Sequence, residues 1–127
     1  MNTTVLLIDD EEFYRRMVAM GFRRAGYTVH EADNGEQGLA MAKEHHPDLI
    51  LLDLMMPGML GFEVCKALRE DSQFNKTAII IMSAKSYKPD VDKSMELGAD
   101  AYVVKPMDLE SLLDLSEKHL TKRRNSP

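Results

Sequence analysis

The chain has one cysteine, Cys65, and therefore no partner for an internal disulfide. This excludes a disulfide scaffold and fits a reducing compartment. On a helix, Cys65 reads as a small packing residue. No apolar run approaches the roughly 18 residues of a membrane-crossing helix. The start, Met1-Asn2-Thr3-Thr4, lacks the layout of a signal peptide, so a cytoplasmic protein is expected. Positive charge is in deficit: the net charge of -5 argues against a nucleic-acid surface. No glycine-rich loop follows the first apolar run; four acids, Asp9 to Glu12, stand there instead. That excludes the usual phosphate cradle of flavin and dinucleotide binders. No His or Cys is spaced for a zinc site.

What is present is an ordinary globular composition, 44% hydrophobic and 29% charged, at a length that suits one domain. One folded unit is expected over residues 1–121, followed by a short basic tail at 122–127, frayed. Leu49-Ile50-Leu51-Leu52 is an apolar run bounded by His46-Pro47 and Pro57-Gly58. Runs this short read as strands buried on both faces. Val5–Ile8, Ala78–Met82 and Ala101–Val104 repeat the pattern, while Thr28–Ala32 is half polar and belongs near a sheet edge.

Helical segments separate these strands. The first follows the four acids, with Phe13, Met17 and Met20 as its apolar stripe, and stops at Gly26. Asn34 to Gln37 has the layout of a capping box for the second. The third starts near Gly61, with Phe62, Cys65 and Leu68 on one face, and a polar linker spans 71–76. Lys88-Pro89-Asp90 opens the fourth, with Val91 and Met95 inward, and Gly98 closes it. Asp108 opens the fifth, with Leu109, Leu112, Leu113 and Leu120 toward the core. Five βα repeats predict an α/β fold: a flavodoxin-like (βα)5 domain whose parallel sheet runs 2-1-3-4-5, with helices on both faces.

In that fold the carboxyl ends of strands 1 and 3 flank the switch point where sites are built. Asp9-Asp10 follow strand 1, Asp53 ends strand 3, Ser83 follows strand 4 and Lys105 follows strand 5. Each has an ordinary explanation alone: a helix-dipole complement, a loop cap, a turn hydroxyl, a surface charge. Together they gather carboxylates that repel unless a cation is present. Such hard oxygen ligands suit Mg²⁺. Lys105 supplies a point charge and Ser83 a short hydroxyl. The chemistry is then phosphoryl transfer to a carboxylate, with Asp53 as nucleophile because it stands alone on a central strand.

From about Thr4 to Leu120 the chain resembles the receiver domain of two-component response regulators, in particular the single-domain chemotaxis-type receivers. The matching pieces are the acid pair, Asp53-Leu54-Met55-Met56-Pro57 with Gly61 beyond, Ser83-Ala84, and Gly98-Ala99-Asp100-Ala101-Tyr102 leading to Lys105-Pro106. The resemblance implies that Asp53 takes a phosphoryl group from a histidine kinase or His-phosphotransfer protein. It implies direct Mg²⁺ binding by Asp10, Asp53 and the Met55 backbone carbonyl, with Asp9 acting through water. Ser83 would contact phosphoryl oxygens, Lys105 would pair with Asp53, and Tyr102 would be the aromatic that turns inward with Ser83. Lys105-Pro106 matches a bond often cis in the family.

The implied output is a partner-binding surface on the fourth helix, fifth strand and fifth helix. No nucleic acid is bound through this domain, and the oligomeric state is a monomer or a phosphorylation-dependent dimer. Self-catalysed phosphorylation and slow hydrolysis are expected, without turnover on a separate substrate. Leu60, where many receivers carry a polar residue, is expected to affect packing or partner choice. Met55 and Lys85 flank the approach of an attacking water and are expected to set the lifetime of the phosphoryl group. Met1 at the domain's own start argues against an internal piece of a hybrid kinase. A receiver cut from a larger regulator and an unphosphorylated interaction module remain alternatives.

Overall fold

The computed structural model describes residues 2–126. Five strands, β1 (Thr4–Ile8), β2 (Thr28–Ala32), β3 (Leu49–Asp53), β4 (Ala78–Ser83) and β5 (Ala101–Val104), alternate with five helices. These are α1 (Glu12–Arg24), α2 (Gly35–His45), α3 (Gly61–Arg69), α4 (Lys88–Glu96) and α5 (Leu109–Arg124). The sheet is parallel throughout in the expected order β2-β1-β3-β4-β5. Half-polar β2 lies at an edge, and the apolar strands lie inside.

Successive strand residues point to opposite faces, so all-apolar strands need cover on both sides. Leu6, Ile8, Ile50, Leu52, Ile79 and Ile81 pack with Val64, Cys65 and Leu68 of α3 and Ala42 of α2. Val5, Leu7, Leu49, Leu51, Ile80 and Met82 pack with Val18, Ala19 and Phe22 of α1 and Leu112 and Leu120 of α5. Helix α4 sits beside α3 and against β5. Asn34 caps α2 as expected, its side chain accepting the Gln37 N–H at 2.9 Å, while the Gln37 side-chain Oε1 accepts the Asp33 N–H at 2.9 Å. Gly26 and Gly98 end α1 and α4 at φ of 100° and 103°, where a side chain would be strained.

Four packing expectations are corrected. The Phe13-Met17-Met20 stripe of α1 faces solvent, with Phe13 83% exposed; Val18, Ala19 and Phe22 are buried instead. The helix carries apolar residues on two sides, and only the face meeting β1, β2 and α5 is covered. On α4 the fully buried residue is Ser94, whose hydroxyl donates back to the Asp90 carbonyl, while Met95 is exposed and Val91 half-buried. The linker over 71–76 contains a 3-10 turn, Ser72–Phe74, that buries Phe74 in the core.

The fourth correction concerns α5. Leu109 is partly exposed and Leu113 half-buried, whereas Leu112 and Leu120 are in the core. The helix continues through Lys122 to Arg124. It is held there because Arg123 donates to Asp100 at 2.8 Å and to the Asn75 carbonyl at 2.9 Å. Among the described residues, no helix is long and apolar enough to cross a membrane.

Candidate functional site

The sheet register brings the strand ends level. Asp53 pairs with Met82, and Ser83 with Val104. Just beyond, the Lys105 N–H donates to the Ser83 carbonyl at 2.8 Å, and the Asp9 N–H to the Ala32 carbonyl at 3.0 Å. Asp9, Asp53, Ser83 and Lys105 therefore start from one rigid edge. The Lys105-Pro106 bond is cis.

Lys105 organises the cluster. Its Nζ lies 2.8 Å from Asp9 Oδ2, 2.9 Å from Glu11 Oε1 and 3.3 Å from Asp53 Oδ1. It also sits 4.9 Å from the centre of the Tyr14 ring, a favourable place for a cation. The pairing with Asp53 is thus the longest of three. Asp9 is 1% exposed, and its Oδ1 accepts the Glu11 N–H at 2.9 Å, so both its oxygens have partners.

Carboxylate oxygens of Asp9, Asp10 and Asp53 lie within 4.8 Å of one another. Burial, followed by the Asp9 charge, pushes the Asp53 carboxyl up to about 8, against the opposing pull of Lys105; a hydrogen bond with Asp10 adds to the rise. Burial favours a neutral amine at Lys105, but hydrogen bonds to Asp9 and Glu11 and the Asp53 charge outweigh it and hold Lys105 above its ordinary value. One lysine does not offset three acids. This donor set is hard, oxygen-only and short of positive charge, and it fits a divalent cation such as Mg²⁺.

Asp53 and Ser83 open onto a cleft of about 350 Å³, lined also by Glu11, Met55, Lys85, Tyr87 and Asp90. Ser83 is buried, and its Oγ accepts the Lys85 N–H at 3.2 Å. Tyr102 does not join the acid cluster. Its hydroxyl donates to the Lys85 carbonyl at 2.7 Å. Ser83 and Tyr102 therefore meet at one residue of the β4–α4 loop. The Lys85 ammonium lies 5.4 Å from the Tyr87 ring centre, and Met55 is exposed at the cleft mouth.

Sequence reasoning missed Glu11, Tyr14 and Arg15. Glu11 stood in view as one of four acids, but nothing in its spacing singled it out from Glu12. The Arg15 side chain is only 12% exposed; it donates to the Asp9 carbonyl at 2.9 Å and to Glu31 at 3.1 Å.

Comparison with known proteins supplies the context. The model of the response regulator receiver domain matches residues 5–117. Over 104 residues, 82% of the chain, it is 43% identical to the transcriptional regulatory protein ResD of Bacillus subtilis and 42% identical to AfsQ1 of Streptomyces coelicolor. The match covers 42% and 45% of those proteins, so the chain spans less than half their length. The chemotaxis protein CheY4 of Vibrio cholerae superposes with a TM-score of 0.89 at 34% identity, over 93% of this chain and 98% of that one. A response regulator from Burkholderia pseudomallei, solved with a phosphorylated aspartic acid and a calcium ion, shares the fold at a TM-score of 0.86 and 24% identity, over 97% of this chain and 71% of that one. With these matches and its acidic cluster at the carboxyl edge of a 2-1-3-4-5 sheet, the chain belongs to the response regulator receiver domain family.

Proposed function

We propose that Asp53 is the phosphoacceptor of this receiver, taking its phosphoryl group from a histidine kinase or His-phosphotransfer protein. The observation that carries the reading is the position of Asp53: 4% exposed, at the end of a central strand, 3.3 Å from Lys105 and open to the cleft. Asp53 Oδ forms the new bond to phosphorus as the P–N bond of the donor phosphohistidine breaks, its electron pair leaving on the imidazole. Asp10 and Asp53, with the Met55 carbonyl, would hold Mg²⁺, and Asp9 would act behind them through water. A bound ion supplies the positive charge that keeps Asp53 ionised and offsets the incoming phosphoryl oxygens. Lys105 contributes a donor and a charge to one of those oxygens, and Ser83 supplies a hydroxyl that lines the same cleft. A response regulator from Burkholderia pseudomallei with the same fold was solved with a phosphorylated aspartic acid and a calcium ion.

Phosphorylation would draw Ser83 toward the phosphoryl group and break its contact with Lys85. Tyr102 is bonded to that same residue, so its position changes with the loop, and the surface of α4, β5 and α5 changes with it. The domain then acts as a switch in the cytoplasm, working on a downstream protein target through that face and turning over no separate substrate. Mg²⁺-dependent phosphoryl uptake, read by intact mass and lost in Asp53→Asn, tests the proposal.

A second reading has its own support. Because the chain spans less than half of ResD and AfsQ1, the second reading is that the domain is the receiver part of a longer regulator and not a stand-alone receiver. Size of the native protein on a denaturing gel, detected with an antibody to this domain, separates the two.

A further inference from the structure

An ammonium group carries three protons and makes three strong hydrogen bonds. Lys105 donates to two carboxylates, Asp9 at 2.8 Å and Glu11 at 2.9 Å, and forms an ion pair with Asp53 at 3.3 Å. The two hydrogen bonds hold the ammonium on the Asp9–Glu11 side, so a phosphoryl oxygen on Asp53 draws Lys105 closer as one of these shorter contacts loosens. Asp9 is 1% exposed, and losing Lys105 would leave it a buried charge short of a partner. Asp53 is the acceptor itself and moves with the phosphoryl group. Glu11 has a side chain 60% exposed, and water readily replaces a lost ion pair there.

We propose that Glu11 is a positioning residue that tethers Lys105 in the unphosphorylated protein and competes with the phosphoryl group for it. The inference rests on the reading of Asp53 as phosphoacceptor. Glu11 is fixed for this role by its backbone, since its N–H bonds Asp9 Oδ1 at 2.9 Å, and its side chain lines the same cleft as Asp53 and Ser83. The Tyr14 ring, 4.9 Å from Nζ, stays in place as a second seat for the ammonium when Glu11 releases it. Glu11 therefore slows phosphoryl uptake, and removing its charge accelerates it.

Glu12 provides the control. It is the next residue, has the same charge, is 71% exposed, and has Arg16 at 3.9 Å as its ion-pair partner, with no contact to Lys105. Glu11→Gln and Glu12→Gln thus change net charge equally, and only the first touches the tether. Each protein is incubated with acetyl phosphate and MgCl₂. Asp53 Oδ forms the bond to phosphorus, the P–O bond to the acetyl group breaks, and acetate leaves with the electron pair. Adduct formation is followed by intact mass. Glu11→Gln is expected to gain the adduct about two- to fivefold faster than Glu12→Gln, the range of an exposed ion pair.

A second readout needs no phosphoryl group. Hydrogen exchange of the Lys105 ammonium, followed by ¹H–¹⁵N NMR, should quicken in Glu11→Gln and stay at the wild-type rate in Glu12→Gln. A Glu11→Gln adduct rate no higher than that of Glu12→Gln, or unchanged ammonium exchange, overturns the tether. Absence of any adduct in wild type overturns the phosphoacceptor reading first and the tether with it, so the two failures are distinguishable.

Discussion

Gly61 packs its bare Cα against the Asp53 carbonyl: a Cβ at position 61 would lie 2.5 Å from that oxygen and 2.8 Å from the Leu54 Cα. Both neighbours are backbone, so neither can rotate away. Gly61→Ala should push the loop that follows Asp53 off its place. The expected cost is about 1–3 kcal/mol of stability, measured by urea denaturation, together with slower phosphoryl uptake from acetyl phosphate. Unchanged values for both would show that the loop yields freely.

At the opposite edge of the sheet, Asp100 joins three elements. It accepts Arg69 of α3 at 2.9 Å, Arg123 of α5 at 2.8 Å and the Ile79 N–H of β4 at 2.9 Å. Its side chain and that of Arg69 are mostly buried. Asp100→Ala leaves Arg69 without its carboxylate, and a loss of about 3 kcal/mol is expected in urea denaturation. Conditions that keep the variant folded should leave its phosphoryl uptake near that of wild type, because the network lies far from Asp53.

The domain should lose stability in mild acid through His30. Its ring stacks on His45 at 3.7 Å between centroids. Burial first, then the charges of His45 and Arg23, lower its pKa from 6.5, although Glu44 pulls the other way. The unfolded chain then binds the proton more readily than the folded one, so stability is full above the ordinary value of 6.5 and falls as pH drops toward the lowered folded value. His30→Phe keeps the stack without the proton. Its urea midpoint should change less than that of wild type between neutral pH and pH about 5; equal changes would count against the assignment.

Cys65 should be inert. It is fully buried, and burial raises its thiol to about 11. A thiol reagent at neutral pH should find no reactive group in the folded protein and one after denaturation. Rapid labelling of the native protein would contradict the buried placement.

The strands, their order and the strand-end residues were legible because each rests on a strong local pattern. A four-residue apolar run between turn residues has few alternatives, and parallel βα units bring all their carboxyl ends to one side. Helix orientation was less legible. On α1, Phe13-Met17-Met20 and Val18-Ala19-Phe22 both have helical spacing, and the chain alone does not say which face meets the sheet. Val18 and Ala19 let the helix approach the sheet closely while Phe22 fills the core, and the Phe13-Met17-Met20 stripe is left outside. Phe74 was hidden among polar neighbours in a segment whose 3-10 turn has no period to read. The contact of Glu11 was hidden because it depends on Lys105, which lies 94 positions away. The ion pairs of Arg15 and Asp100 were hidden for the same reason: their partners are set by the fold.

The most direct test of the account is intact mass after incubation with acetyl phosphate, with and without MgCl₂, for wild type and Asp53→Asn. One phosphoryl adduct is expected on wild type in the presence of Mg²⁺, little without it, and none on Asp53→Asn. An equal adduct on Asp53→Asn, or none on wild type, would contradict the account.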